Sequence, residues 1–337
     1  MPEFGVRLPV GGPLSSAEAI RSAALLAERL GYHAVWVHDF LVYTQYLNRT
    51  HISCGSAEAV EAAGDDSPPD FFEAITNLAF LAGATGKIRI GVSVLSIPYR
   101  HPLVVAKQLA TIDVLSGGRL ILGAGVGAPK TTHNIDFEVL RIPRTEKYER
   151  TGEYLRAMIG LWTGGGGYAG DFIDIVDVPL YPRPIQQPHP PIWISGRMER
   201  SLELLAEVGT GWFAPWLLPE QYQPMIDDIY RRAEAAGRSD FALKVATEVY
   251  VCVAESPDAA KKAAQKTLDV LNVALMPSGM ASPDTRLIGS PKQLVERIAS
   301  YSQAGVDHFE MKFIYHDLEH FHYQLLLFRD SVMSHFA

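Results

Sequence analysis

The sequence predicts an α/β chain that closes into a (β/α)8 TIM barrel, with one insertion after the fourth helix. Three observations predict it. Short β-branched runs alternate with longer amphipathic segments from one end of the chain to the other. Each strand is followed by a helical segment, which implies parallel pairing through right-handed crossovers. The run of 337 residues contains eight such strands and no linker between two cores, so residues 1–337 read as a single domain, within the size range of a barrel carrying excursions.

The first unit sets the pattern. Phe4 to Leu8 reads as a strand, and Ser15-Ser16-Ala17-Glu18 reads as a capping box opening a helix. Ala19, Ala23, Leu26, Ala27 and Leu30 recur at helical spacing, and Gly31 stands where a C-terminal cap belongs. Strands follow at Ala34 to His38, Arg89 to Val94 and Leu120 to Gly125, with helices at Asp70 to Ala84, Pro102 to Leu115 and Glu146 to Trp162. After the insertion come strands at Ile192 to Ser195 and Gly211 to Ala214, with helices at Arg200 to Val208 and Pro219 to Ala236. Leu243 to Ala254 is the seventh strand and His308 to Phe313 the eighth. Pro257 to Met276, Pro291 to Ala304 and a segment from about Asp317 are helical.

Two segments break the alternation. Asn48 to Pro69 is a long polar loop after the second strand, on the face where barrel sites form. Thr163 to Pro191 combines four consecutive glycines, a hairpin-like alternation at Tyr168 to Val178 and a proline-rich stretch. It reads as an excursion that walls one side of the mouth.

Composition narrows the partners. A net charge of −8, without a Lys/Arg stripe, argues against a nucleic-acid surface. The two cysteines offer no disulfide framework or CxxC pair, which fits a reducing compartment. No apolar run approaches a membrane span, and Met1 to Leu8 lacks the features of a secretory signal. A cytoplasmic protein acting on a small molecule is expected.

Candidate site residues cluster at the C-terminal ends of strands. Gly123-Ala124-Gly125-Val126-Gly127 would let a flat ring or a phosphate approach the backbone, although a plain turn needs the same residues. Ser195-Gly196-Arg197, between a strand and a helix, could cradle a phosphate on backbone amides and a guanidinium; a capped helix with a surface arginine is the alternative. His38 and Asp39 close the second strand, so alternation places one of them toward the mouth; either could instead hold the following loop. His316 and His320 share the i,i+4 spacing of helical metal ligands, with His322, Asp317 and Glu319 beside them, but the HExxH pattern is absent. Tyr43, His133, Trp216 and His316 fall in loops where a substrate could be met.

The stretch GVSVLSIPYRHPLVVAKQLATIDVLSGGRLILGAGVG, Gly91 to Gly127, resembles the core signature of the luciferase-like flavin and deazaflavin oxidoreductases. VPLYPRPIQQPHPPIWISG, Val178 to Gly196, looks like that family's insertion and fifth strand, and Leu287 to Pro291 is similar to its GTPEQVAERI helix start. The resemblance implies a non-prolyl cis peptide at Ser93-Val94, forming a bulge on which the cofactor ring rests. It implies that Gly125 and Gly127 approach the ring or ribityl chain, that Ser195, Gly196 and Arg197 hold the phosphate, and that Asp39 stands near the ring. Homodimerisation is implied on the same ground.

The departures bear on substrate. Sugar-phosphate dehydrogenases of the family read Ser-Asp-His after the second strand, where this chain reads His38-Asp39-Phe40. They also carry an acid after the glycine turn, where Ala128 stands here, so a sugar phosphate is not expected. The expected cofactor is coenzyme F420, with hydride transfer to or from an organic substrate and His38 and Asp39 as candidate catalytic groups. The alternative is reduced FMN with oxygen, as a monooxygenase. An alternative from another class is a metal-dependent barrel hydrolase built on His38, Asp39 and the C-terminal histidines.

Overall fold

The structure is a computed structural model and describes residues 1–42, 70–127, 135–214, 216–272 and 283–336. In chain order the elements are β1 (Glu3–Arg7), α1 (Ala17–Leu30), β2 (Ala34–Val37), α2 (Ala74–Ala84), β3 (Arg89–Ser96), α3 (Pro102–Ser116), β4 (Leu120–Gly125), the short α4 (Asp136–Val139) and α5 (Lys147–Thr163). The hairpin β5 (Tyr168–Ala169) and β6 (Asp174–Ile175) lies within the insertion. Then follow β7 (Ile192–Ser195), α6 (Glu199–Val208), β8 (Gly211–Phe213), α7 (Tyr222–Ala235), β9 (Lys244–Val253), α8 (Pro257–Asn272), β10 (Leu287–Gly289), α9 (Pro291–Gln303), β11 (His308–Phe313) and α10 (Leu318–Ser331).

The sheet order β9-β11-β1-β2-β3-β4-β7-β8 is closed by pairing of β8 with β9, and every one of these pairings is parallel. This is the expected eight-stranded barrel. Sequence reading missed β10, three residues that add to the upper half of β9. Leu287 to Gly289 is too short for a periodicity to register, and it directly precedes a strong helix start.

Local chemistry explains the boundaries. The first helix is capped by Ser16, whose hydroxyl accepts from Ala19 N–H at 3.0 Å. The predicted box is thus one residue out of register, because Ser15 turns back and donates to Gly12 C=O at 2.7 Å. Helix α2 starts at Ala74 rather than Asp70, since the Glu73 carboxylate caps Thr76 N–H at 2.7 Å. The terminal helix starts near Asp317 as expected, and the Asp317 carboxylate caps it, accepting from His320 N–H at 2.7 Å.

Alternate strand residues divide between two cores. One set, including Val6, Val35, Ile90 and Phe309, packs outward against the helices. The other set, including Trp36, Ile121, Trp193, Phe213 and Ala246, fills the barrel interior. The insertion is pinned by two buried acids, Glu153 of α5, which accepts from Asp171 and Phe172 N–H, and Asp113. Asp113 of α3 accepts from Ile185 N–H at 2.8 Å, Gln186 N–H at 3.0 Å and Gln186 Nε2 at 2.7 Å. A buried carboxylate satisfied by three donors fixes a segment that has little regular structure of its own.

Candidate active site

The interior is built in layers, from an aromatic floor up to a charged tier beneath the mouth. The floor is Trp36, Trp193, Phe213 and His308. Their ring centroids stand 5.2–5.9 Å apart, mostly tilted or edge to face. Trp36 Nε1 donates to His308 Nε2 at 3.1 Å, which leaves the ring proton on Nδ1, 3.3 Å from Glu3 Oε2. Burial then holds His308 neutral, pushing it down to about 4.

Among the described residues, Glu3, His33 and His308 are the only set of three with potential metal-ligand atoms within 4.8 Å of one another. They lie at the N-terminal end of the barrel. The tautomer fixed by Trp36 puts a proton where a cation would need a lone pair, and Lys244 Nζ already sits 2.8 Å from Glu3 Oε1. At the other end His316 and His320 stack with ring centroids 4.3 Å apart, and His316 Nε2 is 3.4 Å from Asp317. The metal-dependent alternative therefore finds no three-ligand set at the mouth among the described residues.

Above the floor, β3 departs from regular pairing. Its register against β4 shifts between Val92 and Leu95, and the Ser93-Val94 peptide is cis, as the resemblance implies. Val94 lies on the interior aromatic cluster. The glycines of β4 make room for this bulge. A Cβ on Gly123 would lie 2.1 Å from Val92 O, and one on Gly125 would lie 2.5 Å from Val94 Cγ2. Gly127 has φ +83°, a conformation that favours glycine, and its missing Cβ would meet Phe137 at 2.8 Å.

A charged cluster underlies the bulge. Arg7, at the end of β1, donates through Nε to Glu310 Oε1 at 2.6 Å and through Nη2 to Glu248 Oε2 at 2.5 Å. The same Nη2 lies 3.1 Å from Ser93 Oγ and 3.3 Å from Ser93 C=O. Ser93 Oγ in turn donates to Glu310 Oε1 at 2.6 Å. Burial raises the Glu310 carboxyl to about 7, with Arg7 opposing the rise and Glu248 adding to it. Next to this cluster, Lys312 Nζ donates to the Tyr250 hydroxyl at 2.8 Å.

Sequence reading passed over this tier, although a signal was present. In β11, His308, Glu310 and Lys312 occupy every second position of a strand buried along its whole length. Polar residues at period two in a buried strand mark a barrel interior.

The predicted residues at the end of β2 take different places. Asp39 is buried, and its carboxylate accepts from Ser96 N–H at 3.0 Å and from both terminal nitrogens of Arg100 at 2.8 and 2.7 Å. Arg100 also reaches Glu73 at 2.9 Å. Asp39 thus ties β2 to the end of β3. His38 is buried, edge-on to Phe40 at 5.2 Å and Phe71 at 6.1 Å. At the rim, Ser195 and Gly196 are half-buried and Arg197 is exposed. Gly196 has φ +127°, and a Cβ there would lie 2.6 Å from Ser201 Oγ, so the chain turns tightly into α6. Met198, at the N-cap, supplies no side-chain acceptor to the first amides. Trp216, just beyond β8, has φ +62° and a buried Nε1 without a partner among the described residues. Tyr43, His133, Ala128 and the loop at 48–69 lie outside the described residues.

This arrangement fits a phosphate-bearing planar group. It offers a backbone bulge over a closed floor, and at the rim a helix start without a side-chain cap among the described residues, beside the exposed Arg197. A family profile described as luciferase-like monooxygenase matches residues 3–282. The FMNH(2)-dependent dimethylsulfone monooxygenase of Pseudomonas putida is 29% identical over 268 residues, 70% of this chain and 72% of that protein. The F420-dependent glucose-6-phosphate dehydrogenase of Microbacterium testaceum (strain StLB037) is 26% identical over 321 residues, 88% of each. Among solved structures, monooxygenase RslO1 from Streptomyces bottropensis superposes with a TM-score of 0.78 at 23% identity, covering 99% of this chain and 100% of that one. An F420-dependent secondary alcohol dehydrogenase in complex with an F420–acetone adduct gives 0.77 at 18% identity, covering 99% and 98%. The chain belongs to the luciferase-like monooxygenase family, whose members are flavin- or F420-dependent oxidoreductases.

Proposed function

We propose that the chain binds reduced coenzyme F420 at the mouth of the barrel and uses it for hydride transfer with a small organic substrate. The observation that carries the reading is the Ser93-Val94 bulge, seated on Gly123 and Gly125 and held from below by Arg7 and Glu310. The cofactor supplies the two electrons; the protein's part is to bind, orient and exclude water. Ser195, Gly196 and Arg197, with the open amides of α6, would hold its phosphate. Ser93 and Val94 would carry the ring, with Gly125 and Gly127 giving the bulge and its surroundings their close approach. Asp39 acts as a positioning residue through Arg100 and Ser96. His38 is the candidate for a proton-handling contact at the mouth. The match to an F420-dependent enzyme along 88% of both chains supports this choice.

A second reading is monooxygenation with reduced FMN and oxygen, favoured by the Pseudomonas putida relative. Equilibrium binding separates the two. F420, oxidised FMN and reduced FMN are titrated by fluorescence into wild type and Arg197→Ala. The F420 reading requires tight F420 binding, weakened about tenfold or more in the variant, roughly the worth of one charge-assisted contact. A preference for reduced FMN moves the assignment to the monooxygenase. If neither binds below about millimolar, both readings fall.

We also infer that two copies associate. The outer face of α3 and the insertion present Val104, Leu115, Tyr181 and Ile185, all more than half exposed. Val104 and Tyr181 line one groove together with Lys107, which donates to Tyr181 C=O.

A further inference from the structure

One polar atom in the charged tier lacks a hydrogen-bond partner among the described residues. Glu310 is fully buried, and its Oε1 takes the bonds from Arg7 Nε and Ser93 Oγ, at 2.6 Å each. Its Oε2 is also buried, with no hydrogen-bond partner among the described residues. A buried carboxylate oxygen without a donor is costly, whereas the same oxygen bearing a proton is not charged. Two carboxylates, Glu248 and Glu310, also share one guanidinium, so the cluster of Arg7, Glu248 and Glu310 carries one negative charge more than positive when both are ionised. Like-charged carboxylates at one site do not both ionise easily.

The charged and titratable groups facing Glu310 can be named. They are Arg7 from β1, and Glu248 and Tyr250 from β9. Along β11 itself, Lys312 lies above, with its ammonium on the Tyr250 hydroxyl, and neutral His308 lies below. From β3 the contact is the uncharged Ser93 hydroxyl. Ser93 is the first residue of the bulge, and Arg7 grips its carbonyl as well as its hydroxyl. The cluster is therefore joined by direct hydrogen bonds to the backbone proposed above to carry the cofactor ring.

We propose that Glu310 is a positioning residue that also stores a proton: through Ser93 Oγ it sets the bulge, and it takes up a proton when an anionic cofactor settles there. The proposal rests on the reading of the bulge as the cofactor seat. Negative charge brought onto the bulge makes a second ionised carboxyl beneath it less favourable, so binding and protonation of Glu310 support each other. The balance is simple: one proton passes from solvent to Oε2, no bond to the cofactor forms, and nothing is oxidised. Cofactor affinity must then fall as pH rises through the titration of Glu310, by at most about tenfold per pH unit for one linked proton.

The test is binding of F420 and of FMN to wild type and Glu310→Gln from pH 6 to 8.5, by calorimetry in two buffers of different ionisation heat. Glutamine keeps the acceptor for Ser93 and Arg7 at one atom and cannot titrate. The cofactor phosphate titrates equally in both proteins, so the difference isolates Glu310. The expected result is proton uptake and a falling affinity in wild type, with both reduced in the variant. A uniform loss of affinity with unchanged pH slope would mean a merely structural role and overturn the proposal. Infrared titration of the cofactor-free proteins gives a second readout: a protonated carboxyl band, present in wild type below neutral pH and missing in Glu310→Gln. Absence of that band from wild type also overturns the proposal, while cofactor binding without proton uptake leaves the seat intact and removes only the proton store. Failure of both cofactors to bind wild type overturns the seat itself, and the proposal with it.

Discussion

At the scale of single residues, the floor of the barrel shows how one hydrogen bond decides a titration. Trp36 Nε1 has no lone pair to offer, so its bond to His308 at 3.1 Å fixes the imidazole tautomer. Glu3 receives the other ring proton and is itself held down to about 2, despite burial, by His308 and Lys244. The sign of the pH dependence follows. His308 is depressed to about 4 from an ordinary 6.5, so the unfolded chain takes up a proton that the folded one refuses. Its contribution is intact above about pH 6.5 and is lost as pH falls toward 4, by at most about 3 kcal/mol. His308→Gln should keep a bond to each neighbour, with the amide oxygen toward Trp36 and the nitrogen toward Glu3, and remove the titration. Melting temperatures between pH 7.5 and 4.5 should therefore fall less steeply in the variant. Equal slopes would assign the acid lability to His33 or to carboxylates elsewhere.

At the scale of elements, β3 and β4 form one unit whose sequences answer each other. The bulge at Ser93-Val94 needs space, and β4 supplies it through glycine at alternate positions. Gly125→Ala would place a methyl 2.5 Å from Val94 Cγ2, an overpacking that costs about 1–3 kcal/mol. Val94→Ala removes the obstructing atom at some cost to packing on the floor. The double variant should then be more stable than the sum of the single effects implies, with a coupling of about 1 kcal/mol or more in a denaturation cycle. Additive effects would mean that the two strands separate without consequence.

The same pair shows what was legible in the sequence. The glycines stood out because their residue type is unusual for a strand, the bulge was implied by the family resemblance of Gly91 to Gly127, and the eight barrel strands were visible as short runs alternating with helical segments. The charged tier was not read, because Arg7, Glu248 and Glu310 come from three strands far apart in the chain and meet only when the barrel closes. The place of Asp39 was hidden for the same reason: its partner Arg100 belongs to the segment after β3, and sequence order does not say which way the side chain turns.

At the scale of the whole molecule, the barrel leaves its two ends and its flanks with different tasks. The N-terminal end is closed by the floor, the C-terminal end carries the bulge, the charged tier and the open start of α6, and no helix among the described residues is long and apolar enough to cross a membrane. The flank formed by α3 and the insertion is different again. Asp113 and Arg89 anchor Ile185 and Gln186 firmly, yet the neighbouring Tyr181 and Ile185 side chains point apolar surface outward beside Val104 and Leu115. A segment held rigidly in an exposed apolar arrangement is better suited to a partner surface than to solvent. With a net charge of −8, two copies would also repel at long range, so association through this face must rest on apolar contact and should tolerate salt. Sedimentation at micromolar concentration should therefore give the mass of two chains, little changed between low and high ionic strength. Val104→Asp combined with Tyr181→Asp should yield single chains with a native far-ultraviolet spectrum, because both side chains lie outside the core. A wild type that sediments as one chain would assign this strip to solvent or to a different partner, and a pair that survives both substitutions would place the contact on another face.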